Sequence, residues 1–129
     1  MRNIFHLLIT LSIVFVVVVG CASVPKKPVE SPGIVFQQSL EKTRNAAIDA
    51  LVVLGFDIKK QEDSYIEGYR PHKVGFFVGS GGETVGVWLK LLDQDRTSVQ
   101  VKTAKSLVGI VGQKNWDENV LNEMRKVLQ

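Results

Sequence analysis

The residue with the most specific chemistry is Cys21, the single cysteine of the 129-residue chain. Its thiolate form is a nucleophile, and it ends the stretch Val18-Val19-Gly20-Cys21. Residues 4–19 before it are almost wholly apolar, and Arg2 places a positive charge at the start. A charged start, an apolar run and a small residue before a break form the layout of a secretory signal. The apolar run is shorter than the ~20 residues that a transmembrane helix needs.

The stretch Val18-Val19-Gly20-Cys21 resembles the lipobox of bacterial prolipoproteins, which reads aliphatic, small or aliphatic, Gly or Ala, then Cys. The resemblance implies that the Cys21 sulfur receives a diacylglycerol, that the chain is cleaved after Gly20, and that the new amino group takes a fatty acid such as palmitate. Residues 1–20 are then a lipoprotein signal peptide. Val18 departs mildly from the commoner Leu. The alternative is a plain signal anchor with an idle cysteine.

The same resemblance implies a location in the cell envelope, held at the membrane by the lipid on Cys21. Two or more acyl chains, at ~0.8 kcal/mol per buried CH₂, give a stable anchor. Ala22 follows the cysteine, whereas an Asp at that position favours retention in the inner membrane of Gram-negative bacteria. We therefore expect the outer membrane, with the domain facing the periplasm. Once Cys21 is lipidated, no thiol remains for a disulfide.

No other set of residues has a catalytic spacing. His72 is the only histidine after residue 20, and no Gly-x-Ser-x-Gly motif accompanies it. The glycine-rich residues 79–82 precede Glu83 instead of the Lys-Ser/Thr pair of a phosphate-binding P-loop. One histidine is too few for a usual zinc site, so we expect no enzyme, metal or cofactor. A net charge of only +3 argues against a nucleic-acid surface.

Two loops combine glycine with large apolar residues, which is unusual because loops are mostly polar. They span residues 73–82 and 107–112. If exposed, they form an interaction patch for a protein, an acyl chain or the membrane. The alternative is that they fold over the sheet edge and close the core. The candidate interaction residues are Phe76, Phe77, Val78, Ile110 and Val111.

Aromatic residues provide a second candidate surface. Trp88 alternates with Val85, Val87 and Leu89 and therefore faces away from the expected core. Paired with Tyr65 or Tyr69, it would make an aromatic platform for a small ligand or a cell-wall glycan. The alternative is that Trp88 packs under a loop.

Hydrophobic periodicity predicts the elements that position these residues. Residues 34–54 show helical spacing and stop at Gly55, with a short leading strand at residues 34–35 as the alternative to a first helical turn. Residues 56–61, 65–70, 83–92 and 97–105 read as strands. Residues 116–128 form the last helix, with Asn115 as its N-cap and Glu118 completing a capping box.

The order α-β-β-β-β-α predicts an α+β two-layer sandwich, with an antiparallel four-stranded sheet and two helices on one face. We expect a signal peptide at 1–20, the lipidated cysteine and a Pro-rich tether at 21–33, and a single domain at 34–129. At ~3.1 Å per residue the tether would reach ~35 Å. Lys26 and Lys27 would touch anionic headgroups or remain solvated.

Together with the lipobox, this order resembles small uncharacterised envelope lipoproteins, and Gly109-Ile110-Val111-Gly112-Gln113-Lys114-Asn115-Trp116 is similar to a signature of that group. The order is also loosely similar to the helix-grip domains of BamC, a lipoprotein of the outer-membrane β-barrel assembly machinery. BamC has two such domains and a long leader, where this chain has one domain and a short tether. The resemblance implies a non-enzymatic interaction or assembly-accessory module with an envelope protein partner. The alternative is a small-ligand or glycan-binding module.

Overall fold

A computed structural model describes residues 23–29, 32–74, 79–106 and 112–129 of the chain. The described part contains two helices, α1 (Leu40–Val53) and α2 (Asp117–Leu128). The strands are β1 (Ile34–Phe36), β2 (Asp57–Gln61), β3 (Tyr65–Tyr69), β4 (Lys73–Val74), β5 (Gly79–Ser80), β6 (Thr84–Asp93) and β7 (Arg96–Ala104). The α+β class is therefore confirmed.

The main sheet is antiparallel and has five strands in the order β1-β7-β6-β3-β2, so the predicted number of four was wrong. The additional strand is β1, which the helical prediction had absorbed into its first turn. Ile34 pairs with Val99 and Phe36 with Thr97. Three residues are too few to distinguish a period of 2 from a period of 3.6. The short strands β4 and β5 form a separate two-stranded sheet.

Helix α1 begins later than predicted because Ser39 caps it. The Ser39 side chain accepts a hydrogen bond from the Lys42 N–H at 3.4 Å, and its carbonyl accepts from Thr43. At the other end, Gly55 has a φ of +84°, as expected for a left-handed stop. The Phe56 N–H then bonds the Leu51 carbonyl at 2.9 Å, which completes a Schellman motif.

Helix α2 begins without the predicted capping box. Trp116 occupies the capping position and makes no side-chain cap, while the Asn115 Oδ1 accepts from the Asp117 N–H at 2.8 Å. The Asp117 carboxylate instead accepts hydrogen bonds from the sheet. Its Oδ1 accepts from both the N–H and the hydroxyl of Thr103, each at 2.7 Å. These bonds attach the start of α2 to the end of β7.

One hydrophobic core contains residues of both helices and one alternating set of sheet positions. Cross-strand pairing places Ile66 beside Val87 and Val87 beside Val101. Burying an aliphatic side chain of this size contributes ~1.5–3 kcal/mol. We call this side of the sheet the core face. The core face carries Ile66, Val85, Val87, Leu89, Val99 and Val101. The helix residues in the same cluster include Ala47, Leu51, Val120 and Met124.

The alternate positions form the opposite side of the sheet, which we call the outer face. It carries Tyr65 and Glu67 on β3, Gly86 and Trp88 on β6, and Gln100 on β7. Trp88 is therefore on the side away from the core, as its alternation predicts. None of the helices in the described ranges is long and apolar enough to cross a membrane.

A glycine on β3 allows α1 to approach the sheet closely. A Cβ at Gly68 would lie 3.1 Å from the Phe56 Cβ and 3.2 Å from the Leu51 Cδ2. These distances are tighter than ordinary carbon contacts, so a larger residue would push the helix away.

The two edges of the main sheet are β1 and β2. Strand β1 has only three residues. Strand β2 exposes Lys59 and Lys60 and contains a register shift between Ile58 and Lys60. Both edges are therefore short or irregular.

Candidate functional site

The outer face carries an aromatic pair. Tyr65 and Trp88 are cross-strand partners, and their ring centroids lie 5.1 Å apart at an angle of 36°. The Tyr65 hydroxyl donates to the Glu67 Oε2 at 2.7 Å. Burial and the neighbouring Glu67 carboxylate raise the pKa of the Tyr65 phenol. Tyr69 lies further along β3, opposite Thr84, with the Lys59 Nζ 5.7 Å from its ring centroid.

Residues 23–29, which were predicted to be a tether, contact this outer face. The Ser23 hydroxyl donates to the Lys105 carbonyl at 2.6 Å. Pro25 is buried. A Cβ at Gly86 would lie 2.7 Å from the Trp88 Cη2 and 3.1 Å from the Pro25 Cβ. The missing side chain of Gly86 thus provides the space in which the indole and the proline ring lie against the sheet.

A cavity of about 310 Å³ lies between these tether residues and the sheet. Its lining contains an aromatic plane, two ammonium groups and a hydroxyl, and it includes no carboxylate among the described residues. An aromatic plane packs against an apolar ring face, and ammonium groups attract negative charge. The site therefore suits a ring-shaped ligand that carries an anionic group. Its lining includes Lys27, Pro28, Trp88, Lys90 and Ser98.

A second cluster surrounds Trp116 just before α2. Glu83 is fully buried, and its Oε1 accepts from the Trp116 Nε1–H and from the Lys114 N–H, each at 3.2 Å. The Arg70 guanidinium carbon lies 4.6 Å from the Trp116 ring centroid, and the Lys114 Nζ lies 3.7 Å from it. Phe56 packs edge-on at 5.4 Å. The buried carboxylate therefore orients an indole that supports two cations.

The backbone around Glu83 fixes it in place. Its carbonyl accepts from the Arg70 N–H at 2.9 Å, and the Arg70 carbonyl accepts from the Gly82 N–H at 2.7 Å. Gly81 and Gly82 have φ values of +108° and +87°. A Cβ at Gly82 would collide with the His72 ring. Gly81 and Gly82 thus pack closely against Pro71 and His72.

Glu83 was not predicted as a site residue. The sequence showed only a carboxylate after two glycines, which excluded a P-loop. Its partners Lys114 and Trp116 come more than 30 residues later, so no local pattern could reveal them. The second carboxylate oxygen, Oε2, is buried and has no hydrogen-bond partner among the residues that the structure describes. The cluster has a structural part in positioning α2 and places two positive charges at one end of the sheet.

Several predicted site residues lie outside the described residues: Cys21, Phe76, Phe77, Val78, Ile110 and Val111. His72 is exposed in a loop. Within the four described ranges, no group of three His, Cys, Asp or Glu side chains lies close enough to hold a metal ion.

Comparison of the chain with protein-family models and with curated proteins gives no match.

Proposed function

We propose that this chain is a lipid-anchored, non-enzymatic protein of the bacterial cell envelope, acting as an interaction or assembly-accessory module. The observation that carries the proposal is the stretch Val18-Val19-Gly20-Cys21 after an apolar run. Residues 1–20 would be removed, residues 21–33 would connect the lipid to the domain, and residues 34–129 would form that domain. The contacts of Ser23 and Pro25 with the sheet support a short connection.

The arrangement of the domain follows from the shared core. We infer that both helices cover the core face, because Leu51 of α1 and Val120 of α2 belong to one cluster with Val85 and Val87. The outer face, where a cavity lies between residues 27–29 and Trp88, then remains for binding.

Replacing the cysteine tests the anchor. Cys21→Ser should leave the precursor without lipid and uncleaved, because a hydroxyl is a poor nucleophile for the acyl-glycerol transfer. Metabolic labelling with a palmitate analogue and intact mass measure both effects. Ala22→Ser, which keeps the cysteine, is the matched control and should be processed normally. Normal processing of Cys21→Ser would exclude lipidation at this residue.

The same processed protein should be found in the outer membrane, facing the periplasm. Ala22 supports this location because Asp at that position favours the inner membrane. Ala22→Asp should therefore move the protein to the inner-membrane fraction of a Gram-negative host. An unchanged distribution between the fractions would contradict the assignment.

A protein partner would be identified by photo-crosslinking in the cell. A crosslinking residue at Phe77 or Ile110 should give one discrete adduct, whereas one at the exposed Val53 should give none. Equal adducts from all three positions would indicate random collision and would contradict a docking site.

Ligand binding is a second candidate function, favoured by the contact between Tyr65 and Trp88 beside the cavity. Cell-wall glycan fragments should shift the tryptophan emission of the wild-type protein. Trp88→Phe should abolish the shift, since the remaining Trp116 lies in the core. A shift that persists in Trp88→Phe, or no shift in the wild type, would exclude this site.

A further inference from the structure

The two ends of the main sheet carry different sets of charged residues. Tyr69 pairs with Thr84, and Thr84 pairs with Ala104, so the adjoining Arg70 and Lys105 share one end of the sheet. Lys114 joins them there through its backbone bond to Glu83. We call this the proximal end. The distal end contains the turns of the two hairpins, with Glu62, Asp63, Asp93 and Asp95.

Four carboxylates lie near the proximal end, against the three cations there, but only two of the four are exposed. Glu83 is fully buried. Asp117 is engaged by Thr103, which leaves Asp57 and Glu118 as the exposed carboxylates nearby. At the distal end, Arg44 lies 3.5 Å from Asp63 and Arg96 forms an ion pair with Asp93, while Lys60 and Lys90 are exposed on the strands that lead to these turns.

The connection to the lipid also reaches the proximal end. The Ser23 hydroxyl bonds the Lys105 carbonyl at 2.6 Å, at the end of β7. Cys21 precedes Ser23 by two residues, and two residues span at most ~7 Å. A lipid on Cys21 would therefore hold the proximal end near the bilayer surface instead of at the ~35 Å that a free tether would permit.

We propose that the proximal end rests on the membrane that anchors the protein, with Arg70, Lys105 and Lys114 contacting anionic lipid headgroups. Stacking on Trp116 holds two of these charges in place. Basic residues near an anionic surface are attracted to it, and the attraction falls off within a Debye length. This inference rests on the proposed lipid anchor, since the lipid determines which end of the domain approaches the bilayer.

Hydrogen exchange on the full chain in vesicles tests the orientation. The protein is extracted from host membranes, its intact mass reports the lipid, and it is reconstituted with phosphatidylglycerol and phosphatidylcholine or with phosphatidylcholine alone. Residues 70–72, 104–106 and 112–116 should exchange more slowly in the anionic vesicles, while the turns at 62–64 and 94–95 should not change. Equal exchange in both vesicles, or slower exchange at the distal turns, would overturn the proposal.

Removing charge tests the contact itself. In the lipidated protein, the domain either contacts the bilayer surface or is held away from it. Arg70→Gln with Lys114→Gln should lower the ratio of the first state to the second by about fivefold per charge. Arg44→Gln with Arg96→Gln removes two distal charges and should leave the ratio unchanged. Lys105 has no ring contact among the described residues, so Lys105→Gln provides the same test if the first pair disturbs folding. Equal effects of proximal and distal changes would overturn the proposal.

The two proposals fail in different ways. A mass without lipid on Cys21 would refute the anchor. A lipidated protein whose proximal end shows no protection in anionic vesicles would refute only the membrane contact.

Discussion

Gly68 and Gly86 lie on neighbouring strands of one sheet, and each makes space on a different face of it. On the core face, Gly68 makes space for Leu51 and Phe56, which belong to the buried cluster. On the outer face, Gly86 makes space for Trp88 and Pro25, of which the proline belongs to the connecting segment. The core face is closed by the domain itself, whereas the outer face is covered by residues close to Cys21. Stability should therefore depend on the first face, and the proposed anchoring and binding on the second.

Leu51→Ala should produce the largest effect, because it empties a fully buried site on the core face. We expect the free energy of unfolding to fall by about 2–5 kcal/mol, as measured by urea denaturation. Val53→Ala, on the exposed side of the same helix, is the control and should change it by less than about 0.5 kcal/mol. Equal effects would show that α1 does not close the core face.

Glu83→Ala tests how much the buried carboxylate at the end of the sheet stabilises the domain. The substitution leaves the Lys114 N–H and the Trp116 indole N–H without their acceptor. We expect a loss of about 2–3 kcal/mol in the free energy of unfolding. Glu83→Gln keeps a carbonyl acceptor and should cost less. If both variants were as stable as the wild type, the hydrogen bonds to Glu83 would not contribute to the free energy of unfolding.

The two glycines allow a direct comparison of the faces. Gly68→Ala should reduce the free energy of unfolding by about 1–3 kcal/mol through overpacking. Gly86→Ala should cost less than about 1 kcal/mol, because the flexible Trp88 ring can move. It should instead release Pro25 and accelerate tryptic cleavage after Lys26. Unchanged cleavage would show that Gly86 does not control the connecting segment.

The smallest expected effect concerns pH on the outer face. Burial and Glu67 raise the pKa of the Tyr65 phenol, so the folded protein retains this proton to higher pH than the unfolded chain. The resulting stabilisation is fully present below the ordinary tyrosine pKa of about 10 and is lost as pH rises through the raised value. The free energy of unfolding should therefore fall more steeply above about pH 10 in the wild type than in Tyr65→Phe. Equal slopes in the wild type and in Tyr65→Phe would contradict this contribution of Tyr65.

The sequence predicted elements whose signals are local. Gly55 marked the end of α1, and alternation placed Val85 and Val87 opposite Trp88. Strand β1 was left as an alternative to a first helical turn because Ile34–Phe36 fits either period and gains its identity only from pairing with β7. The assignment of the fifth strand therefore depends on pairing with residues that are distant in the sequence.

Sequence patterns predicted less of the candidate site. Alternation brought Tyr65 and Trp88 into consideration together, since both face outward. The burial of Glu83 depends on Trp116, and the position of Pro25 depends on Gly86, so each requires the folded chain. Composition alone described residues 23–29 as extended without indicating the surface against which they lie.

The sheet edges have a consequence for the proposed membrane anchor. Anchoring to a membrane concentrates molecules in two dimensions, where exposed strands of neighbouring copies could join through their backbones. Strand β1 offers only three residues for such pairing. Strand β2 presents Lys59 and Lys60 beside an irregular register, and charge and irregularity both oppose edge-to-edge association. Edge-to-edge pairing of neighbouring copies is thus disfavoured at high local density.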